Sequence, residues 1–110
     1  MDEDDLRRLE EVGHEVAFAA GKVLIEHGQP GTGLFVVVDG SVVVEAPDSE
    51  RELGPGSVIG ERALVAAHGR RTARVRALTD CVVLAVDRSE VDRLCADDAA
   101  FAERLAQSSS

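Results

Sequence analysis

Hydrophobic positions change their spacing twice along this chain. From Glu3 to Val12, Leu6, Leu9 and Val12 recur at intervals of three, which places them on one side of a helix. Asp2 or Asp4 can cap that helix, and the acidic residues of its first turn suit the dipole. From His14 to Val86 the pattern becomes one of short β-branched runs separated by glycine-marked turns. It predicts strands over Val16–Ala19, Lys22–Glu26, Leu34–Val38, Ser41–Glu45, Arg51–Leu53, Thr72–Leu78 and Val82–Val86. Asp39–Gly40, set between Val36–Val38 and Val42–Val44, predicts a tight hairpin. Gly28 to Gly33 reads as a loop, and Gly54–Pro55–Gly56 as a turn. After Val86 the period lengthens again. Ser89 is a candidate N-cap for a helix over Glu90–Cys95, and Asp97 for one over Asp98–Gln107.

The layout is helix, strands, helices. Regular short strands with turn signals predict a sandwich or barrel. The fold class is mainly β with flanking α: an antiparallel β-roll, like a double-stranded jelly-roll barrel, with short helices at both ends. At 110 residues the chain has room for one core, so 1–110 is read as one domain, with the roll over about 14–87 and the C-terminal helices over about 89–107. The tail Ser108–Ser110 reads as frayed.

Composition narrows the function. Acidic residues outnumber basic ones 21 to 12, for a net charge of −9. That balance argues against nucleic acid or an anionic membrane as partner, since both require a positive face. It also gives weight to Arg70, Arg71, Arg74 and Arg76, a third of the basic residues in one short run. Without interleaved aromatics, that run does not read as a nucleic-acid patch. The acidic start and the lack of a long apolar run predict a cytoplasmic protein without a signal peptide or membrane span. Cys81 and Cys95 match no zinc or redox spacing and read as buried small apolar residues. His14, His27 and His68 are too scattered for a metal-binding β-barrel, so no metal site is predicted.

The densest chemistry lies between Ile59 and Ala77. The segment opens with Gly60 and Glu61 at what reads as one helical turn, and an arginine leads into the strand that closes it. A helix N-terminus offers unpaired amides to an anion, and a guanidinium fork suits phosphate oxygens. An ionised carboxylate accepts hydrogen bonds from sugar hydroxyls. Together these make a nucleotide pocket. Strand alternation puts Arg71 with Ala73, Val75 and Ala77, on the apolar side, where a guanidinium needs an anion. That anion is a ligand, or else Glu61 or Asp39. Arg62 is read as solvated, with Glu26 or Glu45 as a candidate partner. No Gly-x-Ser-x-Gly elbow, Walker loop or His-Glu-x-x-His is present, so no enzyme is predicted.

These residues resemble the cyclic nucleotide-binding domain family, of the type found in the catabolite activator protein and the regulatory subunit of protein kinase A. Gly56-Ser-Val-Ile-Gly-Glu-Arg-Ala-Leu64 resembles the family's phosphate-binding cassette, and Arg71–Thr72–Ala73 its closing arginine. Phe18–Lys22, Gly28–Gly31 and Val38–Val42 resemble its strand and turn glycines. The resemblance implies that Arg71 binds the exocyclic phosphate and Glu61 the ribose 2′-hydroxyl. Backbone amides at Gly60, Ala63 and Leu64 would hold the phosphate, and Thr72 would add a hydroxyl to phosphate or base. Val58, Ile59, Ala73 and Phe101 are candidate base contacts, Phe101 as a cover from the last helix, with Leu105 as its alternative. The implied ligand is cAMP ahead of cGMP. Ala, Val and Arg richness fits a high-GC bacterial genome, while Thr72 leans towards cGMP. No cofactor is implied.

The expected mechanism is ligand binding followed by movement of the C-terminal helices. The expected partner is an effector protein or a fused effector domain. The long dimerisation helix and helix-turn-helix of the family's transcription factors are not in this sequence, so DNA binding by the domain itself is not expected. The alternatives are a β-roll interaction module that has lost its nucleotide, and a metal-dependent cupin.

Overall fold

A computed structural model describes residues 3–25, 33–46, 49–59 and 74–107, with residues 106 and 107 by backbone only. Two four-stranded antiparallel sheets share the core. The elements in chain order are α1 (Glu3–Val12), β1 (His14–Phe18), β2 (Val23–Ile25), β3 (Gly33–Asp39), β4 (Val42–Ala46), β5 (Ser49–Leu53), β6 (Val58–Ile59), β7 (Arg74–Ala77), β8 (Cys81–Asp87), α2 (Arg88–Asp97) and α3 (Ala99–Gln107). The first sheet has the order β1-β8-β3-β6 and the second β2-β7-β4-β5. The expected mainly-β roll with flanking helices is the architecture found.

The first sheet is the middle of three layers, and its sequence shows why. β3 and β8 read Leu34-Phe-Val-Val-Val38 and Cys81-Val-Val-Leu-Ala-Val86, with no polar alternation. Continuous apolar runs of this length suit strands covered on both faces. Leu34, Val36, Val58, Leu84 and Val86 turn towards the helices, where they pack with Leu9, Val91, Phe101 and Leu105. Val37, Ile59, Cys81 and Val83 turn the other way and pack between the sheets with Ile25, Val42, Val75 and Ala77. Phe18 and Phe35 meet edge to face at 6.4 Å on the inter-sheet side. The helix-side core depends on Leu9 and Phe101, both with no exposure. Burying a side chain of that size contributes about 1.5–3 kcal/mol.

The helices and strands fall near the expected positions, with four corrections. The Asp39–Gly40 turn is not a hairpin, because β3 pairs with β6 and β8 while β4 pairs with β5 and β7. It is a corner that carries the chain from one sheet to the other. Gly40 holds φ +82°, and a Cβ there would lie 2.4 Å from the Asp80 carbonyl oxygen. No side chain fits that approach. The second correction is β6, a two-residue strand that no periodicity signalled; Phe35 pairs with Ile59 and Val36 with Val58. Third, α2 starts at Arg88 after Asp87, so Ser89 is inside the helix. Fourth, Asp98, not Asp97, caps α3, accepting from the Ala100 and Phe101 amides at 3.0 and 3.2 Å.

The Gly54–Pro55–Gly56 turn forms a second corner. The Gly56 amide donates to the Val37 carbonyl at 2.8 Å, and Val37 donates to Ser57 at 2.9 Å, which docks the turn on β3 before β6 begins. Asp2, the loop over 28–32, Glu26, His27, His68 and the tail 108–110 lie outside the described residues.

Candidate functional site

The described strands fix both ends of the segment singled out from the sequence. β6 delivers the chain out of the first sheet at Ile59, and β7 receives it into the second sheet at Arg74. The segment between them therefore joins the two halves of the roll. Gly60, Glu61, Ala63, Leu64, Arg71, Thr72 and Ala73 lie in it, outside the described residues, as does Arg62.

Val58 and Ile59, both essentially buried, face opposite ways. Val58 lies in the helix-side core and Ile59 in the inter-sheet core. On the far side, β7 alternates as its sequence predicts. Val75 and Ala77 are buried among the inter-sheet residues, while Arg74 is exposed and Arg76 half-buried. Arg76 pairs with Glu45, its Nε and Nη2 each 3.4 Å from a carboxylate oxygen. Glu45, a candidate partner for Arg62, is thus engaged by Arg76.

Phe101 is a core residue in this arrangement. Its ring has no exposure, and the Arg8 guanidinium lies over it, 4.9 Å from its centre. Presenting that ring to a bound base requires α3 to move. Leu105 is buried beside it.

A charge network fastens α3 to α1. Asp5, 1% exposed, accepts two hydrogen bonds from Arg104, from Nε at 2.6 Å and Nη2 at 2.7 Å. Arg8 donates from Nη1 to Asp98 Oδ2 at 2.9 Å, and Arg104 Nη2 lies 3.9 Å from the same oxygen. The Arg8 hydrogen bond is the main cause that holds the Asp98 carboxyl below its usual range, helped by the Phe101 amide and opposed by partial burial. Sequence reading passed over this network although a signal was present. Asp5 stands four residues before Leu9 and Arg104 three after Phe101, so both charges lie on apolar helix faces.

The two thiols do not approach a site. Cys81 is buried between the sheets and Cys95, on α2, is half-buried against the helix-side core; both are free. Burial raises each pKa, with Asp80 adding to the shift at Cys81 and Asp92 at Cys95. Among the described residues, no three His, Cys, Asp or Glu side chains gather as metal ligands. His14 is exposed on β1.

The sequence profile of the cyclic nucleotide-binding domain matches residues 15–98. The chain belongs to that family. A cyclic nucleotide-gated potassium channel of Mesorhizobium japonicum is 39% identical over 84 residues, 76% of this chain and 23% of the channel. The CRP-like cAMP-activated global transcriptional regulator of Mycobacterium tuberculosis is 28% identical over 96 residues, 82% of this chain and 42% of the regulator. This cyclic nucleotide-binding domain thus spans about a quarter to two fifths of those relatives' length.

Solved structures agree. One, from work on a cyclic-GMP-dependent signalling pathway that regulates bacterial phytopathogenesis, superposes with TM-score 0.85 and 27% identity, covering 97% of this chain and 89% of that one. The Thermus thermophilus catabolite activator protein superposes with TM-score 0.80 and 26% identity, covering 97% and 53%. The relatives are binding and regulatory proteins, and they include a cGMP-dependent protein kinase of Caenorhabditis elegans, 38% identical over 77 residues that make up 10% of the kinase.

Proposed function

We propose that the chain is a single receptor domain for a 3′,5′-cyclic nucleotide, cAMP ahead of cGMP, and has no catalytic activity of its own. The observation that carries this reading is the family match across residues 15–98, which includes the segment between β6 and β7. In it, Arg71 neutralises the exocyclic phosphate, and the amides of Gly60, Ala63 and Leu64 hold the phosphate oxygens. Glu61 accepts from the ribose 2′-hydroxyl. Thr72 adds a hydroxyl, and Val58, Ile59, Ala73 and Phe101 supply apolar surface to the base. The ligand favours whichever arrangement of α2 and α3 adds contacts, and so shifts their population. An effector protein or fused effector domain reads that shift. The reading places the domain in the cytoplasm and gives it no direct contact with DNA or membrane. Among the described residues no helix is long and apolar enough to cross a membrane.

Titration calorimetry with cAMP and cGMP tests it. Binding of one or both is expected. Arg71→Ala removes a charge-assisted phosphate contact of about 1.5–3 kcal/mol, a loss of roughly ten- to a hundredfold in affinity. No heat and no thermal shift with either nucleotide refutes the receptor reading in favour of a protein-interaction module. Equal affinity in the variant removes Arg71 from the site.

A further inference from the structure

We infer that α1 is a charged strap on α3, and that its ion pairs oppose the movement of α3 and so lower the apparent affinity of the proposed nucleotide site. The inference rests on the receptor reading above. Asp5–Arg104 joins residues 99 apart in sequence, and Arg8–Asp98 residues 90 apart. Arg88–Asp92 and Arg93–Glu90, by contrast, close within α2. The Asp5–Arg104 and Arg8–Asp98 pairs thus converge on α3 and on the cap that starts it, whereas Arg76–Glu45 ties two strands of the second sheet.

The burial of Asp5 gives the strap its force. Moving α3 alone draws the Arg104 guanidinium away from a carboxylate with 1% exposure. Separating a buried charge from its counter-charge is costly. Movement of α3 against α1 therefore has to break this pair. Phe101 sits beneath Arg8 with no exposure, so its ring reaches a ligand only when α3 shifts. The strap and any ligand contact by Phe101 compete. A receptor whose competent arrangement is a small fraction of the population binds more weakly by that fraction, and loosening the strap restores the loss.

Calorimetry with cAMP and cGMP on the full chain and on Arg8→Gln tests this. Arg8 is about a third exposed, and its replacement leaves Asp5–Arg104 and the α3 cap in place. Tighter binding by roughly two- to fivefold is expected, the range of a partly exposed ion pair. Asp5→Asn, confirmed folded by circular dichroism, should tighten binding further. Unchanged or weaker binding in Arg8→Gln overturns the strap, whether or not Asp5→Asn folds. Hydrogen exchange without ligand is the second readout. In Arg8→Gln the amides of α3 should gain exchange, and unchanged exchange on α3 overturns the inference. If the unchanged chain binds neither nucleotide, the receptor reading fails, and exchange alone decides whether the strap restrains α3.

Discussion

Replacing Gly40 by alanine should destabilise the protein far more than replacing Gly56, although both glycines hold positive φ, +82° and +91°. An L-residue in the left-handed region costs about 1–2 kcal/mol. Gly56 meets only that cost, because a Cβ there has nothing within 4 Å. At Gly40 the Cβ would also lie 2.4 Å from the Asp80 carbonyl oxygen and 2.8 and 2.9 Å from Cys81 Cβ and Cα. Those atoms have little freedom to retreat. The Ala20 amide holds Asp80 at 2.9 Å, Ser41 and Leu78 are joined at 3.0 Å, and Cys81 pairs with Phe18 in β1. Forcing such an overlap adds about 1–3 kcal/mol. The sum for Gly40→Ala is roughly 2–5 kcal/mol, a fall in melting temperature of roughly 10–20 °C for a domain near this size. Urea unfolding followed by far-ultraviolet circular dichroism reads both variants. If Gly40→Ala loses no more stability than Gly56→Ala, the corner between the sheets is looser than described and the reasoning fails.

Two further predictions concern titration. The folded state holds Asp98 below the usual carboxylate range, so its contribution is complete above that range and is lost as the pH falls through the lowered value. Helical signal should therefore fall at acid pH in the parent, and Asp98→Asn, which keeps a cap acceptor but not the ion pair with Arg8, should lose part of that dependence. The thiols run the other way. Cys81 and Cys95 are raised in the folded state, so their contribution is complete below the ordinary thiol pKa and is lost as the pH rises through the raised values. Iodoacetamide at mildly alkaline pH should modify Cys95, half-buried, before Cys81, and both quickly only in urea. Rapid labelling of Cys81 in the folded chain would show that the inter-sheet core opens at the β8 end.

The strands that could be read most directly were those covered on both sides. β3 and β8 announce themselves because Leu34–Val37 and Cys81–Val86, covered on both faces, are apolar throughout. The helix faces of Leu6, Leu9 and Val12 were equally plain, and all three pack where the spacing puts them. Asp39–Gly40 misled for a physical reason. Turn chemistry reports a local reversal, and local reversal is compatible with either a hairpin or a corner; only the partners of Val36 and Val42, far away in sequence, decide between them. β6 left no periodic trace because two residues have no period. The caps at Asp87 and Asp98 were each missed by a residue or two, within the fraying that acidic runs at helix starts permit. At the site, the alternation read for β7 holds from Arg74 to Ala77. The rule applied to Arg71, that a charge on an apolar face needs a counter-charge, would have found Asp5 and Arg104 had it been applied to the helices.

Consider finally Val58 and Ile59, neighbours along the backbone whose side chains belong to different cores. Through them the chain leaves the middle layer for the segment that carries Gly60 and Glu61. A pull on that segment cannot be absorbed by one interior alone: rotating or sliding this peptide strains the packing against the helices and the packing between the sheets in the same instant. β5, exposed at four of its five positions, offers no such double grip. The end of β6 is thus a dipeptide gripped by both interiors at once, and its two side chains are a place where softening one interior would be felt in the other.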